Sequence, residues 1–144
     1  MNILYLASSS DFHMDLWVKY FTRENKVFLF SDYDYFQKDL PFENVKILKS
    51  YGILGKTSDN LGFKSHKLAQ FNKLLSIKVF AKQIEEIIGN NQIDIVHAFS
   101  SYYGFLASFL NLSIPLIFTP FASSIIRHAP NNYIYRIMAQ KSYK

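Results

Sequence analysis

Short apolar runs alternate with amphipathic stretches along most of this chain. Residues 3–7 are apolar and stop at Ser8-Ser9-Ser10-Asp11, a pattern that reads as a buried strand followed by a turn. Met14, Trp17, Val18 and Phe21 then recur at helical spacing opposite Lys19, Arg23 and Glu24, with Ser10 or Asp11 placed to cap that helix. A second strand is predicted over 26–30, ending at Ser31-Asp32, and a third over 44–48. The pattern breaks between Lys49 and Gly62, where Gly52, Gly55 and Thr57-Ser58-Asp59-Asn60 predict a long connection. One helix over 64–88, stopped by Gly89-Asn90-Asn91, leads to a strand over 93–99 and a short helix over 103–110. A fifth strand over 116–121 and a helix over 132–144, capped by Asn131 or Asn132, complete the pattern.

Strands separated by helices predict an α/β fold, a Rossmann-like doubly wound parallel sheet, because parallel neighbours need crossover connections. The first, fourth and fifth runs are almost wholly apolar and are expected to be central strands covered on both faces. Ligands of such sheets bind beyond the carboxyl ends of the strands. Three polar segments fall there: Ser8 to His13 after the first strand, Ser100-Ser101-Tyr102-Tyr103-Gly104 after the fourth, and Ala122-Ser123-Ser124 after the fifth.

Composition removes several function classes. The 144 residues are 49% hydrophobic and 19% charged, as expected for one folded domain. With no cysteine, there are no disulfides, thiolate metal sites or thiol nucleophiles. The five glycines form neither a G-x-G-x-x-G turn after the first strand nor a phosphate-binding lysine loop, which argues against a dinucleotide oxidoreductase. His13, His66, His97 and His128 are scattered without ligand spacing or a carboxylate cluster, so no metal is expected, and no hydrolytic triad assembles. The first residues lack the basic region of a signal peptide, and no apolar run reaches the roughly 18 residues of a membrane span. A cytoplasmic location is the expectation.

The remaining candidates carry two readings each. His13, at the start of the first helix, is either a surface histidine or a base near a hydroxyl-rich ligand. His97, inside the fourth strand, is expected to be a core residue satisfied by one hydrogen bond. Trp17 is expected to anchor the core or an interface. Lys64, Lys67, Lys73, Lys78 and Lys82 are interleaved with Leu68, Phe71, Leu75, Val79 and Phe80. A solvated face on an ordinary packing helix is the expectation, and contact with an anionic membrane surface the alternative. The net charge of +5 fits both, and the basic residues are too sparse to predict nucleic acid binding.

Residues 1–10, then His13 and Trp17-Val18-Lys19-Tyr20-Phe21, resemble the opening of the family 4 glycosyltransferases. Asp94-Ile95-Val96-His97-Ala98-Phe99 and the serine–tyrosine segment after it are similar to that family's D-x-V-H-x-H-x-x-S-x-Y-G region, and Pro115-Leu116-Ile117-Phe118-Thr119 to its P-x-V-x-T strand. The resemblance implies the N-terminal, acceptor-side part of a two-domain GT-B enzyme, with residues 1–144 a partial first domain and the nucleotide-sugar-binding second domain absent. It implies transfer of a sugar from a nucleotide-sugar, a substrate rather than a cofactor, to a glycan or lipid-linked acceptor, with no turnover by this chain alone. Acceptor binding would fall to Ser9, Ser10, Ser100, Ser101, Tyr102, Ser123 and Ser124, with His13 nearest the reacting hydroxyl. Ala122 and Ser124 stand where relatives often carry a glycine and an acid, and Phe99 where many carry a second histidine or an aromatic. The alternative is a non-catalytic Rossmann-like binding module or a degenerate remnant.

Overall fold

The computed structural model describes residues 1–9, 12–32, 44–50, 52–53, 66–120 and 133–142, without the side chains of residues 12, 13, 15, 66–70, 134, 135 and 142. The elements are β1 (Asn2–Leu6), α1 (Phe12–Phe21), β2 (Lys26–Asp32), β3 (Val45–Ser50), α2 (His66–Leu75), α3 (Ile77–Asn91), β4 (Ile95–Phe99), α4 (Ser100–Ala107), β5 (Leu116–Thr119) and α5 (Tyr133–Ser142). The five strands form one sheet in the order β3-β2-β1-β4-β5, and every pair is parallel.

The period of two along each strand decides the layers. Ile3 and Tyr5 of β1, Val27 and Leu29 of β2, and Phe99 of β4 face α1, where they bury Met14 and Val18. Leu4, Leu6, Phe28, Phe30, Val96 and Ala98 face the other way, against Ile77, Phe80, Ala81 and Ile84 of α3 and Tyr103, Leu106 and Ala107 of α4. The chain steps outward from β1 to β3 with its helix on one face. It then returns past β1 to β4 and β5 with its helices on the other face. That exchange of faces is what a constant crossover hand requires when the direction of travel reverses. The reversal makes the gap between β1 and β4 the switch point of the sheet.

Four departures from the sequence pattern each have a local reason. The fifth strand is not central. Among the described residues it is an edge, with Leu116 and Ile117 42% and 44% exposed, while β2 takes the inner place. The helix over 64–88 divides at Ser76, which is buried beneath the chain that leaves β3. Gly52, in the left-handed region at φ 71, brings that chain close enough for the Ile53 N–H to donate to Ser76 Oγ at 2.8 Å. Ser76 Oγ lies 3.2 Å from Asn72 Oδ1. The backbone ladder continues across the junction, from Ser76 N–H to the Asn72 carbonyl and from Phe80 N–H to the Ser76 carbonyl. The helix also runs on through Gly89 and ends at Gln92, whose left-handed backbone (φ 49) lets its N–H close on the Ile88 carbonyl. Asn91 Nδ2 donates to the Ile87 carbonyl there, so side chains finish the last turn and glycine is not needed.

The fourth departure matters most for function. Ser100 to Tyr103 is not a loop: β4 passes directly into α4, three residues before the expected helix start. Phe99 is still extended, and Ser100, at φ 68, turns the chain in a region that non-glycine residues seldom occupy. Tyr103, Leu106 and Ala107 then pack under the sheet, and Gly104 lies against the Phe118 ring. Among the described residues no helix is long and apolar enough to cross a membrane. The expected caps Ser10, Asp11, Asn131 and Asn132 lie outside the described residues.

Candidate functional site

The carboxyl ends of β1, β2 and β4 bring a buried polar network to the switch point. After β1, the Ala7 N–H still donates to the Phe30 carbonyl, so the chain follows β2 before it turns. The Ser9 N–H then donates to Ser31 Oγ at 2.9 Å, and the two hydroxyl oxygens lie 3.3 Å apart. Ser31 Oγ is also 3.1 Å from the Asp32 carbonyl oxygen. Ser9, Ser31 and Asp32 are all buried.

Asp32 is a buried carboxylate with partners from two helices. The Tyr103 hydroxyl of α4 donates to Oδ1 in a short hydrogen bond. Lys73 of α2 places Nζ 2.6 Å from Oδ2, and its side chain is 29% exposed. Burial and then the Asp32 charge push the Tyr103 hydroxyl well above its ordinary value, against a smaller opposing effect of Ser31, so it remains a donor. A chain of polar contacts thus runs from the first loop through β2 to α4 and α2. It ties together three elements that the sequence separates by up to 71 residues.

Tyr102 sits beside this network. Its ring lies edge-on to Tyr103, 5.0 Å between centroids, and Lys73 Nζ stands 5.8 Å from its centre. Burial and then the Asp32 charge hold its hydroxyl well above the ordinary range. Yet that buried hydroxyl has no hydrogen-bond partner among the described residues. Buried polar atoms are nearly always paired, and leaving one unpaired costs about 1–3 kcal/mol. The Tyr102 hydroxyl is thus a neutral donor and acceptor left unpaired beside the switch point.

The residues expected at the site divide accordingly. Ser9, Ser101 and Tyr102 are brought to one end of the sheet around Ser31, Asp32 and Tyr103; Ser101 is buried and Ser100 forms the turn. His13 lies on the first turn of α1, which follows the carboxyl end of β1, but its side chain is outside the described residues. Ser10, Ser123 and Ser124 lie outside them as well. His97 is the core residue expected: Nε2 is 2.8 Å from Thr119 Oγ1, and the ring stacks on Phe99 at 4.1 Å and meets Trp17 edge-on at 5.4 Å. Burial lowers its imidazole to about 4, so it is neutral near pH 7. Sequence reasoning missed Ser31, Asp32, Tyr103 and Lys73. Ser31-Asp32 is visible as a polar pair ending an apolar strand, but nothing local links it to a lysine 41 positions later, since 73 − 32 = 41.

The model of the glycosyl transferase 4-like family matches residues 2–144. The chain belongs to that family. No curated protein is similar enough to count as a relative. The five-stranded parallel sheet with helices on both faces is a Rossmann-like arrangement, as the family resemblance implied. In this glycosyl transferase 4-like chain the polar cluster at the switch point consists mainly of hydroxyls, and its one described carboxylate is already engaged by Tyr103 and Lys73. Such a cluster can hydrogen-bond and orient a sugar. Asp32 is held from both sides within the protein.

Proposed function

We propose that this chain forms the acceptor-side wall of a cytoplasmic GT-B enzyme that transfers a sugar from a nucleotide-sugar to a glycan or lipid-linked acceptor, with the donor held by a second domain. The observation that carries this reading is the family match over residues 2–144, which supports sugar transfer as the reaction class. The cluster of hydroxyls at the switch point supports the acceptor side in particular. Ser9, Ser100, Ser101 and Tyr102 hold the acceptor by hydrogen bonds, and the family resemblance assigns Ser10, Ser123 and Ser124 the same role. Transfer joins the acceptor oxygen to the anomeric carbon as the bond from that carbon to the nucleotide phosphate breaks. The wall contributes by fixing the attacking hydroxyl, a positioning effect rather than proton chemistry. His13 is the residue assigned nearest that hydroxyl.

Titrating the purified chain with UDP-glucose, GDP-mannose and a panel of oligosaccharides, read by ligand-observed NMR, tests the assignment. An oligosaccharide should bind, and Tyr102→Phe should weaken it about tenfold, the worth of one buried hydrogen bond. Neither nucleotide-sugar should bind, and mixtures of donor and acceptor should give no product. Tight nucleotide-sugar binding, or robust transfer by these 144 residues, would refute the reading.

A further inference from the structure

The outward face of α2 and α3 carries an apolar stripe that the fold leaves uncovered. Phe71, Leu75 and Val79 are 58%, 52% and 37% exposed. Spaced four residues apart on a continuous backbone ladder, they advance only about 40° per step and so share one face. Asn72, Ser76, Ile77, Phe80, Ala81 and Ile84 are the buried side of the same helices, so the stripe is not left over from a misplaced core. Lys78 and Lys82 are exposed and lie within the same outward arc. Single exposed apolar residues are ordinary; three in line, flanked by two cations, are not.

The stripe has a definite place relative to the crevice. Ser76 accepts from Ile53 just past the carboxyl end of β3, whereas the far end of α3 is fixed at the opposite edge, where Asn2 Nδ2 donates to the carbonyl of Asn91. Phe71, Leu75, Lys78, Val79 and Lys82 therefore occupy the half of the helix pair nearest the strand ends. The exposed acids Glu85 and Glu86 come only beyond them. Lys73, on the same helix as Phe71 and Leu75, reaches inward to Asp32. Surface and crevice share one end of the molecule.

We infer that this face docks on an anionic lipid surface, with Phe71, Leu75 and Val79 entering the headgroup boundary and Lys78 and Lys82 meeting the lipid charge. An apolar stripe bordered by lysines is the pattern of a helix lying in a membrane interface. The solvated face expected from the sequence holds for Lys78 and Lys82 but not for Lys73, which turns inward, and of the apolar residues between the lysines Phe80 is core whereas Phe71, Leu75 and Val79 are exposed. Self-association fits less well, because a second copy on the same face would set lysines against lysines where interface cores are depleted of charge. Resting on the proposed acceptor-side role, the docking selects a lipid-linked acceptor, presented from the bilayer at the crevice.

Vesicle flotation of the purified chain, with neutral phosphatidylcholine or with an equimolar mixture of phosphatidylcholine and phosphatidylglycerol, tests the docking without reference to activity. The chain should float with the anionic vesicles and be released by salt. A lysine near an anionic surface is worth roughly fivefold in partition, so Lys78→Gln with Lys82→Gln should lower binding about 25-fold. Leu75→Glu should abolish it, and Leu16→Glu, an exposed position of α1 on the opposite face of the sheet, should not change it. All these positions are exposed, so circular dichroism should show the fold intact. Equal binding to both vesicles, equal binding by the lysine variant, no flotation, or a concentration-dependent dimer that Leu75→Glu dissociates would each overturn the inference. Sugar-binding failure with intact flotation would instead count against the acceptor-side role alone.

Discussion

Replacing Asp32 by Asn tests whether the polar network holds the site together. The side chain keeps its shape but loses its charge, and only one of its two ends still accepts. If the amide oxygen faces Tyr103, the amide nitrogen confronts Lys73 Nζ, which stood 2.6 Å from the carboxylate. Lys73, at 29% exposure, can swing into water, so its share of the loss is near the surface-pair range of about 0–1 kcal/mol. The Tyr103 hydroxyl is buried and cannot escape, and a hydrogen bond to a charged partner is worth about 1.5–3 kcal/mol. Because the Asn oxygen still accepts from Tyr103, only the difference between a charged and a neutral hydrogen bond, about 1 kcal/mol, is lost there, and Asp32→Asn should destabilise by about 1–2 kcal/mol. Lys73→Met should cost at least as much, because it strands a buried carboxylate instead of a solvated amine. Tyr103→Phe should cost about 1.5–3 kcal/mol, and the Asp32–Tyr103 double mutant should fall short of the sum by about 1 kcal/mol or more. Urea unfolding followed by circular dichroism gives all four values. A cost below about 0.5 kcal/mol for Asp32→Asn, or strict additivity with Tyr103→Phe, would show that the carboxylate is not held as described.

Two further outcomes follow from the same geometry. The His97 imidazole, lowered to about 4 by burial, regains its ordinary value near 6.5 on unfolding. The unfolded chain therefore binds more protons between those values, and stability should fall as pH drops through that window, by up to ~3 kcal/mol for the full shift. Thermal melts from pH 7 to 5 should show this slope, and His97→Gln, which can still reach Thr119, should flatten it; an unchanged slope would mean other groups titrate there. Gly104→Ala would drive a methyl group into the Phe118 ring, and overpacking of that kind costs about 1–3 kcal/mol. Unaltered melting of the Gly104→Ala protein would mean that β5 yields freely at that contact.

The crevice gains a physical definition from these contacts. The first loop and the start of α4 are not independent, because Ser9 is joined through Ser31 to the β2 end that also receives Tyr103. Lys73 brings α2 to the same carboxylate and leaves Phe71 and Leu75 of that helix facing outward. One ion pair thus fixes both the wall of the proposed acceptor site and the angle of the surface proposed to meet the membrane.

The sequence alone determined the alternation of strands and helices and the family, because periodicity and local motifs are written in neighbouring residues. It also placed His97 in the core, since an imidazole between apolar strand residues has nowhere else to go. Tertiary structure decided the order of the strands, and with it the demotion of β5 to an edge. An apolar run reads the same in the middle of a sheet as at its border. It decided that Ser100 and Ser101 begin a helix, because the turn is forced by Tyr103, Leu106 and Ala107 packing under the sheet. It decided too that Lys73 turns inward while Lys78 and Lys82 stay outside. Nothing in a lysine's own sequence neighbourhood records a carboxylate waiting at the end of another strand.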